Sequence, residues 1–205
     1  MIETALDAVL DVKPVETFKL DLGCGKNKRD GFFGLDSIGF DAVDAKCDLG
    51  AAPWVLSTVF RPDKLPFLLV DGALPDECVD EAQCSHFLEH LTWPQRINFI
   101  NELYRVMKPG AKCLLIIPHW ASARYYGDPT HQAPISEWAF FYWDKAWRES
   151  QAPHCGYTCD FNVTYGYNLH PEIAAKSNDH QLYALKFYKD AAQDVVATME
   201  KRPRT

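Results

Sequence analysis

The sequence predicts an α/β domain in which a mostly parallel sheet is covered by helices. Three observations carry this. Strand-like and helix-like segments alternate up to about residue 150. The run Cys113 to Ile117 is apolar on both faces, as a buried central strand requires. Period-two alternation with one exposed face appears only in the last third.

Taken in order, Ile2, Ala5, Leu6, Val9 and Leu10 have helical spacing, but Glu3, Asp7 and the lack of a basic start do not suit a secretory signal. The first strand is read at Thr17 to Leu22. A second, Phe32 to Leu35, ends at Asp36, and a third, Val43 to Cys47, ends at Asp48. Val79 to Ser85 is the fourth. The clearest helix follows: Thr92 can cap it, Gln95 closes a capping box, and Ile97, Ile100, Leu103, Tyr104 and Met107 form one apolar stripe. Pro109-Gly110 is its stop signal. After the central strand, Phe161, Val163, Tyr165 and Tyr167 alternate with Asp160, Asn162 and Thr164. Tyr183, Leu185 and Phe187 repeat that alternation and predict a partner strand, with a helix containing Ala191 to Met199 behind it.

A length of 205 residues suits a single domain, with residues 119–150 as a substrate-side elaboration. The apolar fraction of 47% and charged fraction of 24% are ordinary for a globular chain. No stretch approaches the roughly 18 apolar residues of a membrane span. Seven scattered cysteines suit reduced thiols and hence a cytoplasmic setting. Cys155 and Cys159 beside His154 are too sparse a set to predict zinc. A net charge of −7 disfavours an extended nucleic-acid surface but leaves room for a local basic patch.

The chemistry is concentrated in KLDLGCGKNK. Asp21 falls on a strand end, and Gly23-Cys24-Gly25 form the turn after it, where backbone can approach a ligand that any side chain would block. The following N–H groups can face an anionic or carboxylate group. Eleven residues after Gly25, Asp36 ends the next strand, where a carboxylate can accept from both ribose hydroxyls. A nucleoside-bearing ligand is the consequence. A nicotinamide cofactor is disfavoured, because its glycine pattern requires glycine where Lys28 stands.

These residues resemble the class I S-adenosylmethionine-dependent methyltransferases, and more narrowly their type 11 subgroup. The resemblance rests on DLGCG, then GLD, then LPDECVDEAQCSHFLEHL, then NELYRVMKPGAKCLLIIP, across about residues 17 to 118. It implies a Rossmann-like, seven-stranded sheet with an antiparallel last strand, and S-adenosylmethionine as cofactor. Gly23, Cys24 and Gly25 would lie beside its methionine part, Asp21 near the amino group and Asp36 on the ribose. Asp48, with Asp71 second, would lie near the adenine, and Ser85 and His86 near the sulfonium. Two departures stand out. The short spacing to Asp36 leaves a turn around Lys26, Asn27 and Lys28 in place of the first crossover helix. The segment Trp54 to Val70 reads as an insertion.

HFLEH also fits the His-x-x-Glu-His pattern of inverted zinc peptidases. That chemistry needs the pattern well inside a helix, whereas here it begins where a strand ends, so no metal is predicted. The acceptor side is sought after the central strand, where His119, Trp120, Tyr125, Tyr126, Asp128 and His131 cluster. The aromatic group Trp138, Phe140, Phe141, Tyr142, Trp143 and Trp147 fits core packing better than a substrate wall. Methyl transfer from a sulfonium is an in-line displacement that asks mainly for alignment and exclusion of water. A protonated acceptor would need a base, for which His119, His131 and His86 are the candidates. A small-molecule acceptor leads, with nucleic acid or protein side chains behind it. The non-enzymatic alternative is a cofactor-binding module without turnover.

Overall fold

The computed structural model describes residues 17–203, so the helical spacing at Ile2 to Leu10 lies outside the described residues. Eight strands form one sheet: β1 (Lys19–Leu22), β2 (Phe33–Asp36), β3 (Ala45–Cys47), β4 (Leu56–Val59), β5 (Val79–Ser85), β6 (Met107–Pro118), β7 (Phe161–Leu169) and β8 (Ala192–Lys201). Their spatial order is β4-β3-β2-β1-β5-β6-β8-β7. The run from β3 to β6 is parallel, β4 is antiparallel to β3, and β8 is antiparallel to both β6 and β7. The helices are α1 (Trp93–Val106), α2 (Ala123–Gly127), α3 (Lys145–Gln151), α4 (Pro171–Ala174) and α5 (Asn178–Phe187). None of the described helices is long and apolar enough to cross a membrane.

The eighth strand corrects the expected seven. It is β4, and it comes from the segment read as an insertion, which adds an antiparallel edge strand beside β3. The remaining seven keep the expected antiparallel last strand. Between β1 and β2 no helix forms: Asn27 N–H donates to Cys24 O at 3.0 Å and Phe32 N–H to Arg29 O at 3.2 Å, a pair of tight turns.

Two readings near the carboxyl end are reversed. Tyr183, Leu185 and Phe187 lie on helix α5, not on a strand, and of the stretch Ala191 to Met199 read as a helix, all but Ala191 lies on strand β8. In α5 the Ser177 hydroxyl caps the first turn, accepting from His180 N–H, and Tyr183 stacks on Phe187 one turn later with ring centroids 4.7 Å apart. The aromatic alternation was therefore a surface pair, and the helix buries only the small Ala184. In β8, Val195, Ala197 and Met199 are fully buried, with Val196 and Thr198 half-buried between them. That alternation and the β-branched content favour a strand, and pairing on both edges makes it a central one.

Helix α1 carries the expected reciprocal capping box between Thr92 and Gln95. It ends earlier than its stripe suggests, because Met107 is already extended, fully buried and paired with Val79 at the start of β6. Pro109-Gly110 sits in an irregularity of that strand, between the paired residues Met107 and Lys112, where Gly110 has φ +79. The core lies between sheet and helices: Leu20, Leu22, Leu35, Phe99, Ile100, Leu103, Leu115 and Val195 are all at most 1% exposed. Each such side chain contributes about 1.5–3 kcal/mol by leaving water.

Candidate active site

The chain runs outward from β1 in one direction through β2 and β3, and in the other through β5 and β6. The point where the order reverses opens a crevice at the carboxyl ends of the strands. Register fixes what lines it. Leu22 is level with Leu35 and Cys84, Asp36 with Lys46, Ser85 with Ile116, and Pro118 with Asp194. The residues next along the chain, Gly23, His86 and His119, therefore emerge on one edge, together with the β2 terminus Asp36, Asp48 just beyond β3, and Asp194.

Gly23 adopts φ +67 and its N–H donates to Leu35 O at 2.8 Å. A Cβ there would stand 2.2 Å from Phe87 Cδ2, so the ring of Phe87 packs directly on the glycine. Gly25 adopts φ +53, and a Cβ on it would meet nothing within 4 Å, leaving its backbone open on one side. Its N–H donates to Asp36 Oδ2 at 2.9 Å, while Asp36 Oδ1 accepts from Ile38 N–H at 2.9 Å. Each carboxylate oxygen keeps a further lone pair. Asp21 is buried, its Oδ2 accepting from Arg29 N–H at 2.7 Å, and burial raises its pKa against that bond. Burial pushes the Cys24 thiol up to about 12, so Cys24 packs the turn and is no nucleophile.

Lys28, in the turn, pairs with Asp44 at 2.5 Å instead of facing the crevice. Asp44 Oδ2 also accepts from Gly34 N–H at 2.8 Å, and Oδ1 from Lys64 at 2.9 Å, so this buried carboxylate ties β2 to the turn and to the inserted segment. Of the two adenine candidates, Asp48 follows β3 directly, its Oδ1 accepting from Gly50 N–H at 2.9 Å. Asp71 adopts φ +51 in the Val70–Ala73 turn, next to the added edge strand and one strand further from Asp36.

Across the crevice, Ser85 ends β5 and is exposed. His86 is also exposed, with φ +53, a conformation that few residues other than glycine adopt without a supporting frame. Its Nδ1 stands 3.5 Å from Glu89 Oε1 and its Nε2 3.7 Å from Asp194 Oδ1. The Glu89 carboxylate holds the imidazole pKa above the usual histidine value. HFLEH forms a single 3₁₀ turn, Leu88–His90, before α1 begins, and not the helix interior of a zinc peptidase.

The other two histidines are more enclosed. His119 is 2% exposed, with Nδ1 accepting from Ala121 N–H at 3.2 Å and Nε2 3.5 Å from Glu137. His131 Nδ1 lies 2.7 Å from Tyr125 O, and its Nε2 faces Glu89 Oε1 at 4.0 Å. Tyr125 is buried and its hydroxyl donates to Gln132 O, whereas Tyr126 and Trp120 are exposed. Asp128 caps its own loop by accepting from Thr130. A cavity of about 650 Å³ is lined by His119, Trp120, Glu137, Trp138 and Tyr167 among others. A second, of about 720 Å³, lies on the far side of Trp138, between Trp93, Tyr142 and Tyr157. Within the aromatic group, Phe140 and Trp143 are core residues and Trp138 and Phe141 are exposed.

Sequence reasoning passed over Glu89, Asp194, Glu137 and Phe87. Glu89 was visible in HFLEH, and Phe87 beside it. Asp194 was hidden by the helical reading of 191–199. It is buried, bonded to Arg124 at 2.9 and 3.1 Å and to Asn168 at 3.1 Å, and so ties β8 to α2 and β7 opposite His86.

This strand order, with a glycine turn and an acid-ended β2 at the switch point, defines the Rossmann-like fold of class I methyltransferases. The methyltransferase domain family of type 11 matches residues 20–115, a little under half of the chain, and over that stretch the chain is similar to S-adenosylmethionine-dependent methyltransferases. Among solved structures it is similar to an S-adenosylmethionine-dependent methyltransferase from Archaeoglobus fulgidus, at 19% identity and TM-score 0.55 over 91% of this chain and 87% of that one. A methyltransferase from Methanosarcina mazei aligns at 13% identity and TM-score 0.52, covering 94% and 95% of the two chains. A complex of the Haloferax volcanii Trm112 methyltransferase activator with a methyltransferase aligns at 12% identity and TM-score 0.52, covering 92% and 83%. At these identities the likeness is one of fold. A search of curated proteins returns no match. The family match stops at residue 115, before His119 and the Asp128–His131 loop, so it says nothing about the acceptor.

Proposed function

We propose that this enzyme methylates a small molecule, with S-adenosylmethionine lying across the carboxyl ends of β3, β2, β1 and β5. The observation that carries the reading is the bond between Gly25 N–H and Asp36 Oδ2, which couples the open backbone of the turn to the acid ending β2. In this reading Gly23, Cys24 and Gly25 face the methionine part, Asp21 lies toward its amino group, Asp36 accepts from the ribose hydroxyls, and Asp48 lies toward the adenine. Ser85 and His86 then border the sulfonium. The acceptor enters beyond the end of β6, where the 650 Å³ cavity between His119, Trp120, β7 and α5 has the size and aromatic lining of a small-ligand site. The net charge of −7 supports a small acceptor over a polyanion.

The protein's work is alignment and dehydration. For a protonated acceptor, His86 is the best-placed base. His86 is exposed, whereas the His119 and His131 side chains are 2% and 7% exposed and hydrogen-bonded at Nδ1. Asp194 near His86 Nε2 would steady the resulting imidazolium. Thermal shift should show stabilisation by S-adenosylmethionine and S-adenosylhomocysteine but not by NAD. Release of S-adenosylhomocysteine with small hydroxyl, thiol or amine acceptors then separates an enzyme from a module that only binds. With an acceptor in hand, His86→Asn keeps the left-handed backbone and is expected to lower kcat about 100-fold, with little change in KM for the cofactor. Undiminished turnover would remove the base role.

A further inference from the structure

Glu89, His90 and His131 come from two separate segments, yet their donor atoms all lie within 4.8 Å of one another. Glu89 is 1% exposed, and among the described residues neither carboxylate oxygen has a hydrogen-bond partner. A buried carboxylate left this way is costly unless a cation answers it. Arg96, also buried, does not do so: its guanidinium donates to the main-chain carbonyls of Leu88 and Glu89 at 3.2 and 3.3 Å, and His86 Nδ1, 3.5 Å from Oε1, answers the carboxylate only in part.

The hydrogen bonds around the two imidazoles fix which nitrogens are free. Thr130 Oγ1 donates to Asp128 Oδ1 at 2.6 Å, which uses its one proton, so at 3.0 Å from His90 Nδ1 it must accept. His90 thus carries its proton on Nδ1. His131 Nδ1, 2.7 Å from the Tyr125 carbonyl, must likewise be the protonated nitrogen, because a carbonyl can only accept. Both Nε2 atoms are left with lone pairs, the outer-shell arrangement that prepares histidines as metal ligands. The scaffold is braced as well: Gln132 N–H donates to Glu89 O at 2.9 Å, joining the Asp128–Gln132 loop to the turn that carries Glu89 and His90.

We propose that Glu89, His90 Nε2 and His131 Nε2 form a binding site for a divalent transition-metal ion of the zinc class. Two imidazoles and one carboxylate suit zinc, cobalt, iron or nickel better than magnesium or calcium, and three protein ligands leave a position open. Asp128 Oδ2, 3.9 Å from His131 Nε2, is a further oxygen within reach. Donors of a tetrahedral ion stand about 3.4 Å apart, so binding would draw the loop toward the turn by about an ångström. The inference is independent of the acceptor.

The test uses the full chain after chelator treatment, titrated with Zn(II) by calorimetry and with Co(II) by visible spectroscopy. One ion per chain is expected, with cobalt d–d bands of a nitrogen and oxygen donor set. His90→Ala, His131→Ala and Glu89→Gln should each weaken Zn(II) binding at least about 100-fold, and Thr130→Val, which removes the acceptor for His90 together with the hydroxyl bond to Asp128, about tenfold. If His131→Ala fails to fold, the more exposed His90 and Thr130 variants carry the comparison, with circular dichroism as the control. No binding, an affinity that His90→Ala and Thr130→Val leave unmoved, or thiolate-to-cobalt charge-transfer bands placing the ion on cysteines would each overturn the proposal.

Discussion

Gly23 and Gly25 stand two residues apart with similar backbone angles, yet their surroundings assign them different work. A methyl group on Gly23 would collide with the Phe87 ring, and one on Gly25 would project into open space. Gly23→Ala is therefore expected to cost at least about 2 kcal/mol of stability, read as a lowered Tm. Gly25→Ala should cost about 1 kcal/mol in strain but weaken cofactor binding far more than its Tm change accounts for. Equal Tm losses with equal affinities would show that Gly25 does not border the ligand. Asp36→Asn keeps the side chain's shape while removing its charge. Hydrogen bonds to charged groups contribute about 1.5–3 kcal/mol, so calorimetry should show S-adenosylhomocysteine bound about 10- to 100-fold more weakly. The positions of the glycine turn and of both acids were legible, because a positive φ calls for glycine and the carboxylates at the strand ends accept from nearby main-chain N–H groups. The setting of Glu89 was not legible, because its unpartnered oxygens depend on a loop some forty residues further along the chain.

At the scale of elements, legibility followed local determination. The capping box, the helix after β5 and the absence of a first crossover helix are all written in adjacent residues, and each appears as read. The exchange of strand and helix near the carboxyl end has a plain cause. Aromatic alternation at Tyr183, Leu185 and Phe187 mimics a strand, while the stretch that buries its alternate side chains, Val195, Ala197 and Met199, contains enough Ala, Gln and Glu to read as a helix. Only pairing with β6 and β7 decides it. Hydrogen exchange tests the assignment: amides of 192–201 should be among the slowest in the chain and those of 178–187 markedly faster, whereas the reverse order would contradict a central β8. For α1, Thr92→Ala removes half of the capping box and should cost about 1 kcal/mol, or roughly 2–4 °C in Tm for a chain of this size.

For the whole molecule, one buried carboxylate couples glycine turn, sheet and insertion. Burial alone would push the Asp44 carboxyl up, but the Gly34 amide and the Lys28 and Lys64 ammonium groups more than reverse this and hold it below the ordinary aspartate value. Because the folded value is the lower one, the stabilisation is present above the unfolded value and is lost as pH falls through the folded one. Denaturant titrations should show the wild type losing stability below about pH 4, and Asp44→Asn should flatten that acid limb while lowering stability at pH 7. An unchanged acid limb would show that Asp44 is not a controlling group. Such long-range ties, like the docking of the Asp128–Gln132 loop on the Glu89 turn, are what a linear reading lacks. Within the sheet, β1, β2, β3, β5, β6 and β7 were read from local pattern, whereas β4 and β8 needed the fold.

The most direct test is a crystal structure of the enzyme with S-adenosylhomocysteine bound. Both ribose hydroxyls are expected about 2.6–3.2 Å from the Asp36 carboxylate, with the homocysteine part against Gly23 to Gly25. A fully occupied ligand lodged instead in the cavity between Trp93, Trp138 and Tyr157, with Asp36 untouched, would contradict the assignment of the site.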